Sequence, residues 1–194
     1  MEKATLIAIT GGIGSGKSTV TSIIDKLGFL TFSCDEIVNK LYSKKSVKLL
    51  LKKHFPTSVK GSTNPVLDKK ELSNIVFSDS EKLKFLTDLI TPLVLDELLE
   101  QSKDLSGKVF VEVPLLFECN YEDKFDKVLV VMRPKKDRIE SVKTRSKLTE
   151  EEILSRIKAQ VDYDKLNLSN YIIIENKGSI KELKEKVKSI IETI

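Results

Sequence analysis

A glycine-rich segment near the start of the chain combines the residue types that bind phosphate groups. The pattern G-x-x-x-x-G-K-[ST] is matched at every fixed position by Gly11-Gly12-Ile13-Gly14-Ser15-Gly16-Lys17-Ser18-Thr19. Glycines let successive backbone N–H groups turn towards a ligand, and the start of the following helix adds a partial positive charge. In such a loop the lysine reaches the β- and γ-phosphates, and the serine hydroxyl coordinates Mg²⁺. The motif therefore predicts that Gly12 to Thr19 bind a nucleoside triphosphate with Mg²⁺.

Two carboxylates are expected at the same sheet edge as this loop. Asp35 comes three residues after the end of the apolar run at residues 29–32, and Glu112 lies inside the apolar run at residues 109–113. The carboxyl ends of parallel strands share one edge, and strands lie ~4.8 Å apart, so each carboxylate falls ~5–10 Å from the loop. There it can accept a proton from a hydroxyl or contact Mg²⁺. The structural alternatives are a helix N-cap for Asp35 and a lysine-paired carboxylate for Glu112, and the sequence leaves both open.

A strongly basic segment follows at residues 133–147, with seven lysines and arginines against two acidic residues. In a triphosphate-binding kinase, such a segment can form a lid that excludes water and supplies an arginine to the transferring phosphoryl group. Arg138 and Arg145 are the candidates for that role. We expect the other basic residues to form a solvated helix face.

The elements that must position these residues alternate between apolar runs and helical spacing. Runs at residues 6–9, 29–32, 109–113, 128–132 and 171–174 predict five strands, interspersed with helices. This order indicates an α/β fold with a doubly wound five-stranded parallel sheet in a single domain. We assign the core to residues 1–35, 105–133 and 166–194, with a helical insertion at about 36–104 and a helical lid at about 134–165.

The insertion and the lid carry local signals of their own. No strand is convincing within the insertion, and the helix there is expected to bend or break at Pro92. Gly28 is expected to stop the helix that follows the glycine-rich loop. In the lid, Thr149 and Glu152 predict a capping box that opens its second helix.

Composition excludes several classes of function. The chain has 194 residues, 40% hydrophobic and 32% charged, which is typical of a soluble globular domain. A net charge of +4 and the absence of tryptophan argue against nucleic-acid binding. Two cysteines indicate a reducing cytosol, and no stretch approaches the ~20 apolar residues of a membrane span. We expect a cytoplasmic protein without a membrane partner, and we favour a monomer.

These motifs together resemble the dephospho-CoA kinase family over nearly the whole chain. The segment Val113-Pro114-Leu115-Leu116-Phe117-Glu118 is the most diagnostic. The other matching segments are the glycine-rich loop, Cys34-Asp35-Glu36-Ile37, Leu67-Asp68 with Leu72, Arg156-Ile157-Lys158-Ala159-Gln160 and Asn176-Lys177-Gly178.

The resemblance implies transfer of the ATP γ-phosphoryl group to the ribose 3′-hydroxyl of dephospho-CoA. It implies that Asp35 is the general base, that the loop binds ATP, and that Asn176 lies near the adenine. The insertion would bind the CoA moiety, and the basic segment would be the lid. The residues expected to meet the acceptor are Leu115, Leu116, Phe117 and Glu118.

The sequence also departs from the family pattern at four places. Ser33-Cys34-Asp35 replaces the family's Asp-Ala-Asp and keeps only the carboxylate at the base position. Thr91 replaces the histidine of a His-Pro pair, and Lys69 replaces the arginine of Leu-Asp-Arg. Ser141 stands at the first lid arginine position, which leaves Arg145 at the second.

Three other functions remain as alternatives at this stage. Another nucleotide or small-molecule kinase would share the loop, the base and the lid, so only the acceptor distinguishes it. A nucleotide-dependent switch would bind ATP and transfer nothing, which Asp35 and the lid argue against. Nucleic-acid binding through the basic segment is disfavoured by the small net charge.

Overall fold

The computed structural model describes residues 3–194. Its strands are β1 (Thr5–Thr10), β2 (Leu30–Ser33), β3 (Val59–Lys60), β4 (Val66–Leu67), β5 (Lys108–Glu112), β6 (Lys127–Met132) and β7 (Ile172–Glu175). Its α-helices are α1 (Lys17–Lys26), α2 (Cys34–Ser43), α3 (Lys45–His54), α4 (Lys69–Phe77), α5 (Ser80–Ser102), α6 (Lys135–Arg145), α7 (Glu150–Ala159) and α8 (Ile180–Thr193). No helix of the described range is long and apolar enough to cross a membrane.

The chain divides into two compact units. The first, the sheet unit, contains the described residues up to Cys34 together with Gln101–Ile194. The second, the helical unit, is the continuous segment Asp35–Glu100. The sheet unit therefore contains the glycine-rich loop and the basic segment, whereas Asp35 is the first residue of the helical unit.

The sheet unit is built on a five-stranded parallel sheet with the strand order β2-β5-β1-β6-β7. The predicted doubly wound α/β fold is confirmed. The register pairs Glu112 of β5 with Ile9 of β1 on one side and with Ser33 of β2 on the other. Three strands thus end at nearly the same level, and this level is where the glycine-rich loop begins.

The core of the sheet unit explains why its strands are almost continuously apolar. Parallel strands covered by helices on both faces bury both sets of alternating side chains, and Ile7, Ala8 and Ile9 are fully buried. One face of the sheet packs against the apolar faces of α1 and α8. The buried members of that cluster are Ile7, Ile9, Val20, Ile23, Ile24, Phe110, Leu129, Val131, Ile174, Leu183, Val187 and Ile191.

The helical unit differs from expectation in two ways. The prediction of no strand there was wrong, because β3 and β4 form a two-stranded antiparallel ribbon. Each strand has only two residues, which is too short for an alternating pattern to show in the sequence. The alternative that the helix breaks at Pro92 was also wrong, because the 23-residue helix α5 continues through it; a bend there stays a prediction. Proline removes one hydrogen bond, but buried Leu86, Ile90 and Val94 hold the helix in place on both sides.

Two local signals are confirmed. Thr149 and Glu152 form the predicted capping box, in which Thr149 Oγ1 accepts from Glu152 N at 3.2 Å and Glu152 Oε2 accepts from Thr149 N at 2.7 Å. Helix α1 ends at Lys26, and Gly28 follows with a φ of 90°. A left-handed residue just beyond a helix is the common stop that glycine allows at low cost.

Helix α8 offers a matched test of this core. We expect Ile191→Ala to lower the free energy of unfolding by about 2–4 kcal/mol, since its side chain is only 2% exposed and its loss leaves a cavity. Ile180→Ala is the control, because Ile180 is 63% exposed on the same helix and should cost under about 0.5 kcal/mol. Urea unfolding of both variants measures the difference, and equal losses would contradict the packing described.

Candidate active site

The glycine-rich loop joins β1 to α1 and is arranged around the side chain of Lys17. The helix begins at Lys17, and its N-cap Gly16 has a left-handed φ of 100°. Lys17 is buried, and its Nζ donates to the carbonyl oxygen of Gly11 at 2.7 Å and to that of Gly12 at 3.4 Å. The ammonium group is therefore held against the loop itself.

The start of α1 is left open to an anion. Its N-cap provides no side-chain hydrogen bond, and its first turn contains no acidic residue. The first N–H groups of a helix have no partner within the helix, and they carry the positive end of its dipole. These groups and the Lys17 ammonium therefore form the two positive features of one loop, which is the arrangement that binds phosphates.

Arg138 of α6 contributes a further positive charge to this loop. A Cβ atom at Gly12 would overlap Nη1 of Arg138, so only glycine allows the guanidinium to come this close. Arg138 is only 6% exposed, and its Nε has no hydrogen-bond partner among residues 3–194. Its Nη2 lies 3.9 Å from Oδ2 of the exposed Asp164. A buried guanidinium with an unsatisfied donor beside a phosphate loop is suited to receive a phosphate oxygen.

Arg145, the other arginine singled out in the sequence, lies elsewhere on the same helix. It is the last residue of α6 and is exposed. Nearby Lys143 pairs with Glu150 at 2.6 Å, and this exposed ion pair raises the pKa of Lys143. The basic segment thus combines one buried arginine at the loop with the solvated face expected of its other members.

Ser18 and Glu112, which the sequence proposed as Mg²⁺ ligands, are brought together. The Ser18 hydroxyl donates to Oε1 of Glu112 at 2.8 Å, and Glu112 is buried at the end of β5. In this contact the partner of the Glu112 carboxylate is a hydroxyl group and not the lysine of the alternative interpretation. Within residues 3–194 no group of three or more His, Cys, Asp and Glu side chains is placed to hold a metal by itself. A hydroxyl and a carboxylate facing each other still suit Mg²⁺, which prefers few protein oxygens and completes its shell with water and phosphates.

Asn176 contacts the loop at Ser15 and Gly16. Its Nδ2 donates to the carbonyl oxygen of Ser15 at 2.7 Å, and its backbone N donates to Met132 O at 2.8 Å. A Cβ atom at Gly16 would overlap Nδ2 of Asn176, so the glycine there is required by this approach as well as by its φ. Asn176 therefore joins the end of β7 to the loop, while its contact with adenine stays a prediction.

The Pro-Leu-Leu-Phe-Glu segment after β5 makes both core and polar contacts. Leu116 is fully buried, whereas Leu115 and Phe117 are partly exposed. The Phe117 ring packs against Tyr163 and Tyr171 at centroid distances of 5.8 and 5.2 Å. Glu118 Oε1 accepts from Val161 N at 3.0 Å. Burial raises the pKa of Glu118, and the Lys17 ammonium opposes this rise.

Asp35 lies in the first turn of α2 and is exposed. The helix begins at Cys34, so Asp35 lies inside the helix and is not the N-cap that the sequence left open as an alternative. On the same helix, burial raises the pKa of Tyr42 to about 12, and the Asp35 carboxylate adds to that rise.

Sequence reasoning assigned no role to two residues that contact the loop region. Gln160 Oε1 accepts from Ile13 N at 2.8 Å, and the Tyr163 hydroxyl lies 3.3 Å from Thr10 Oγ1. Gln160 lies in the segment Arg156-Ile157-Lys158-Ala159-Gln160 that resembles the family, so the sequence does contain a signal for it. Tyr163 stood in no motif, and only the fold reveals it. Its burial and the nearby Glu118 raise the pKa of the Tyr163 phenol, so it stays a neutral hydroxyl.

Known proteins resemble this chain over nearly its full length. The curated dephospho-CoA kinase of Thermus thermophilus is 35% identical over 187 residues, which is 96% of this chain and 90% of that protein. The dephospho-CoA kinase of Helicobacter pylori is 32% identical over 193 residues, covering 97% and 96% of the two chains.

Solved structures and a family model agree with these relatives. A crystal structure of a Thermus thermophilus protein superposes with a TM-score of 0.83 at 34% identity, covering 100% of this chain and 99% of that one. Dephospho-CoA kinase from Campylobacter jejuni gives 0.64 at 29% identity, covering 96% and 95%. Deoxyadenosine kinase from M. mycoides, at 17% identity and 0.54, shares the fold alone, covering 98% and 100%. The dephospho-CoA kinase family model matches residues 5–182, and the chain therefore belongs to the dephospho-CoA kinase family.

Proposed function

We propose that this kinase transfers the γ-phosphoryl group of ATP to the ribose 3′-hydroxyl of dephospho-CoA, giving CoA and ADP. The observation that carries the proposal is the convergence of Lys17, Arg138 and the open start of α1 on one loop, in a chain of this family. We also propose that the enzyme works in the cytoplasm as a monomer. The low cysteine content, two in 194 residues, supports the cytoplasmic location.

ATP would occupy the loop with its β- and γ-phosphates beside Lys17. The ammonium would exchange its bonds to the Gly11 and Gly12 carbonyls for bonds to phosphate oxygens, which carry full charge and bind it more strongly. The N–H groups of Gly14 to Thr19 would donate to the same phosphates. Asn176 keeps the loop in this shape by holding the Ser15 carbonyl, and the adenine would lie on that side.

Ser18 and Glu112 would hold Mg²⁺, and Asp35 would join them. The donors fit the ion, since the Ser18 hydroxyl and the Glu112 carboxylate already face each other at 2.8 Å. When bound, the ion would neutralise negative charge on the β- and γ-phosphates.

Asp35 would act as the general base. The chain leaves β2 at Ser33, whose register partner is Glu112, and Asp35 follows only two residues later. The 3′-oxygen would attack the γ-phosphorus, its proton would pass to the Asp35 carboxylate, and the bond to the β–γ bridging oxygen would break with release of ADP. Positioning and charge stabilisation supply most of the rate enhancement in such transfers.

The remaining residues would bind the acceptor and stabilise the transition state. Arg138 would donate to the transferring phosphoryl group, because its Nε is unsatisfied and its guanidinium lies on Gly12. Leu115, Phe117 and Glu118 would meet dephospho-CoA, with fully buried Leu116 supporting them from the core. The helical unit Asp35–Glu100 would bind the CoA moiety.

The acceptor is tested by ADP release with a panel of alcohols and phosphates. We expect Mg²⁺-dependent ADP formation with dephospho-CoA, and only background rates with adenosine, AMP, CMP and pantetheine. A faster reaction with AMP or CMP would replace dephospho-CoA by a nucleotide acceptor. ATP binding without acceptor-stimulated ADP release would indicate a nucleotide switch.

The base is tested with Asp35→Asn, which keeps the size of the side chain and removes its charge. We expect turnover to fall by ~10²–10⁴ while ATP affinity and melting temperature stay near those of the parent. Glu36→Gln is the matched control, since it neutralises the adjacent carboxylate in the same helical turn. A fully active Asp35→Asn enzyme would exclude Asp35 as the base and shift attention to Glu112.

The lid arginines are tested as a pair. Because Arg138 is buried at the loop and Arg145 is exposed at the helix end, we expect Arg138→Ala to lower kcat by ~10²-fold or more. Arg145→Ala should lower kcat more than it weakens ATP binding only if closure of the lid brings it to the phosphates. Steady-state kinetics with ATP titrations separate these outcomes. Parental activity in both variants would make the basic segment a solvated face only.

A further inference from the structure

The segment that follows α7, residues 160–164, contacts the surroundings of the nucleotide loop at three separate points. Gln160 accepts from the backbone N of Ile13, and Tyr163 lies 3.3 Å from Thr10 Oγ1. Asp164 is 3.9 Å from the guanidinium of Arg138, which itself lies against Gly12. We call residues 160–164 the return segment. Gln160 contacts the loop itself, whereas Tyr163 and Asp164 contact residues beside it, Thr10 at the end of β1 and Arg138 of α6.

The contact between Gln160 and Ile13 is the most direct of the three. A backbone N–H can only donate, so the side-chain carbonyl of Gln160 must face it, and their separation is 2.8 Å. Ile13 lies between Gly12 and Gly14, in the middle of the loop. A neutral acceptor satisfies this N–H without placing negative charge beside the position proposed for a triphosphate. A glutamate of the same length would accept the same hydrogen bond and would repel the phosphates.

Glu118 holds the return segment from the other side. Its Oε1 accepts from the backbone N of Val161, the residue directly after Gln160, at 3.0 Å. Its second oxygen is buried and has no hydrogen-bond partner among the described residues. Neighbouring Phe117 packs edge-on against the Tyr163 ring. The Pro-Leu-Leu-Phe-Glu segment after β5 thus fixes the backbone from which Gln160 reaches the loop.

We propose that Gln160 is a positioning residue for ATP: its side-chain carbonyl fixes the amide of Ile13 and with it the loop that receives the phosphates, while Glu118 fixes Gln160 through Val161. The proposal rests on the proposed function for the identity of ATP as donor. It does not depend on which acceptor the enzyme uses. It gives a role to Gln160, and it adds a second role to Glu118 beside the acceptor contact proposed above.

Direct ATP titration without acceptor tests the role of Gln160. Gln160→Met keeps the side-chain length and removes the oxygen that accepts the hydrogen bond from Ile13 N, so we expect ATP affinity to fall about three- to tenfold. The KM for dephospho-CoA and the melting temperature should stay near the parental values. Glu151→Gln, an exposed change on α7, is the control and should alter neither.

Gln160→Glu separates geometry from charge. It keeps an acceptor for Ile13 and adds a negative charge, so ATP binding should weaken, and added salt should reduce this defect relative to the parent. The defect of Gln160→Met relative to the parent should not change with salt. A defect without that difference in salt dependence would contradict the proposed reason for glutamine.

The role of Glu118 is tested by a double-mutant cycle. Glu118→Met removes the acceptor for Val161 and should weaken ATP binding to a similar extent, whereas Glu118→Gln keeps an acceptor and should restore most of it. The double variant of Glu118→Met and Gln160→Met should bind ATP no more weakly than whichever single variant has the lower ATP affinity. Both changes interrupt the same series of contacts, from Glu118 through Val161 and Gln160 to Ile13. Fully additive losses would contradict this chain.

Two results would overturn the proposal as a whole. One is parental ATP affinity in Gln160→Met. The other is an equal loss for ATP and dephospho-CoA with a lowered melting temperature, which a purely structural residue would give. Because ATP binding is measured without acceptor, failure of dephospho-CoA as a substrate would leave this result unaffected, and the two failures are distinguishable.

Discussion

The close approach of charged and polar side chains to the backbone of residues 11–16 is the constraint on which the proposed site depends. Lys17 reaches back to the Gly11 and Gly12 carbonyls, and Arg138 and Asn176 occupy positions where any Cβ at Gly12 or Gly16 would collide. Glycine is needed at positions 12 and 16 because a Cβ atom there would overlap these two side chains. The cost is a backbone with little conformational preference of its own. Contacts from outside the loop must therefore fix its shape.

Those outside contacts come from three separate elements of the sheet unit. Glu112 at the end of β5 accepts from Ser18, Asn176 after β7 holds the Ser15 carbonyl, and Gln160 after α7 holds the Ile13 amide. Because the sheet is parallel, the ends of β1, β5 and β7 lie at one edge, and short connections suffice to deliver each side chain. The fold thus supplies the rigidity that the loop lacks.

The sequence predicts the parts of this arrangement that depend on local chemistry. The strand–loop–helix order, the five parallel strands and the capping box at Thr149 follow from apolar runs and cap residues, and the structure has them. The sequence also proposes Ser18 and Glu112 as Mg²⁺ ligands and Arg138 as a lid arginine, because residue type and position relative to a strand are visible in the sequence. The strands β3 and β4 could not be predicted, because two residues are too few to show an alternating pattern. The continuous helix through Pro92 could not be predicted either, because the burial of its own apolar side chains on both sides of the proline holds it in place. The same holds for Tyr163 and for the difference between buried Arg138 and exposed Arg145, which depends on which face of α6 meets the loop.

Turnover of Lys17→Ala, measured beside ATP binding and melting temperature, tests the central claim most directly. If the phosphates lie on this loop, the ammonium stabilises charge on the transferring group, and its loss should lower kcat by ~10²–10³ in a protein that still folds. Parental turnover in a folded Lys17→Ala enzyme would mean that the phosphates bind elsewhere. It would contradict the account of the site given by the loop and its supporting contacts.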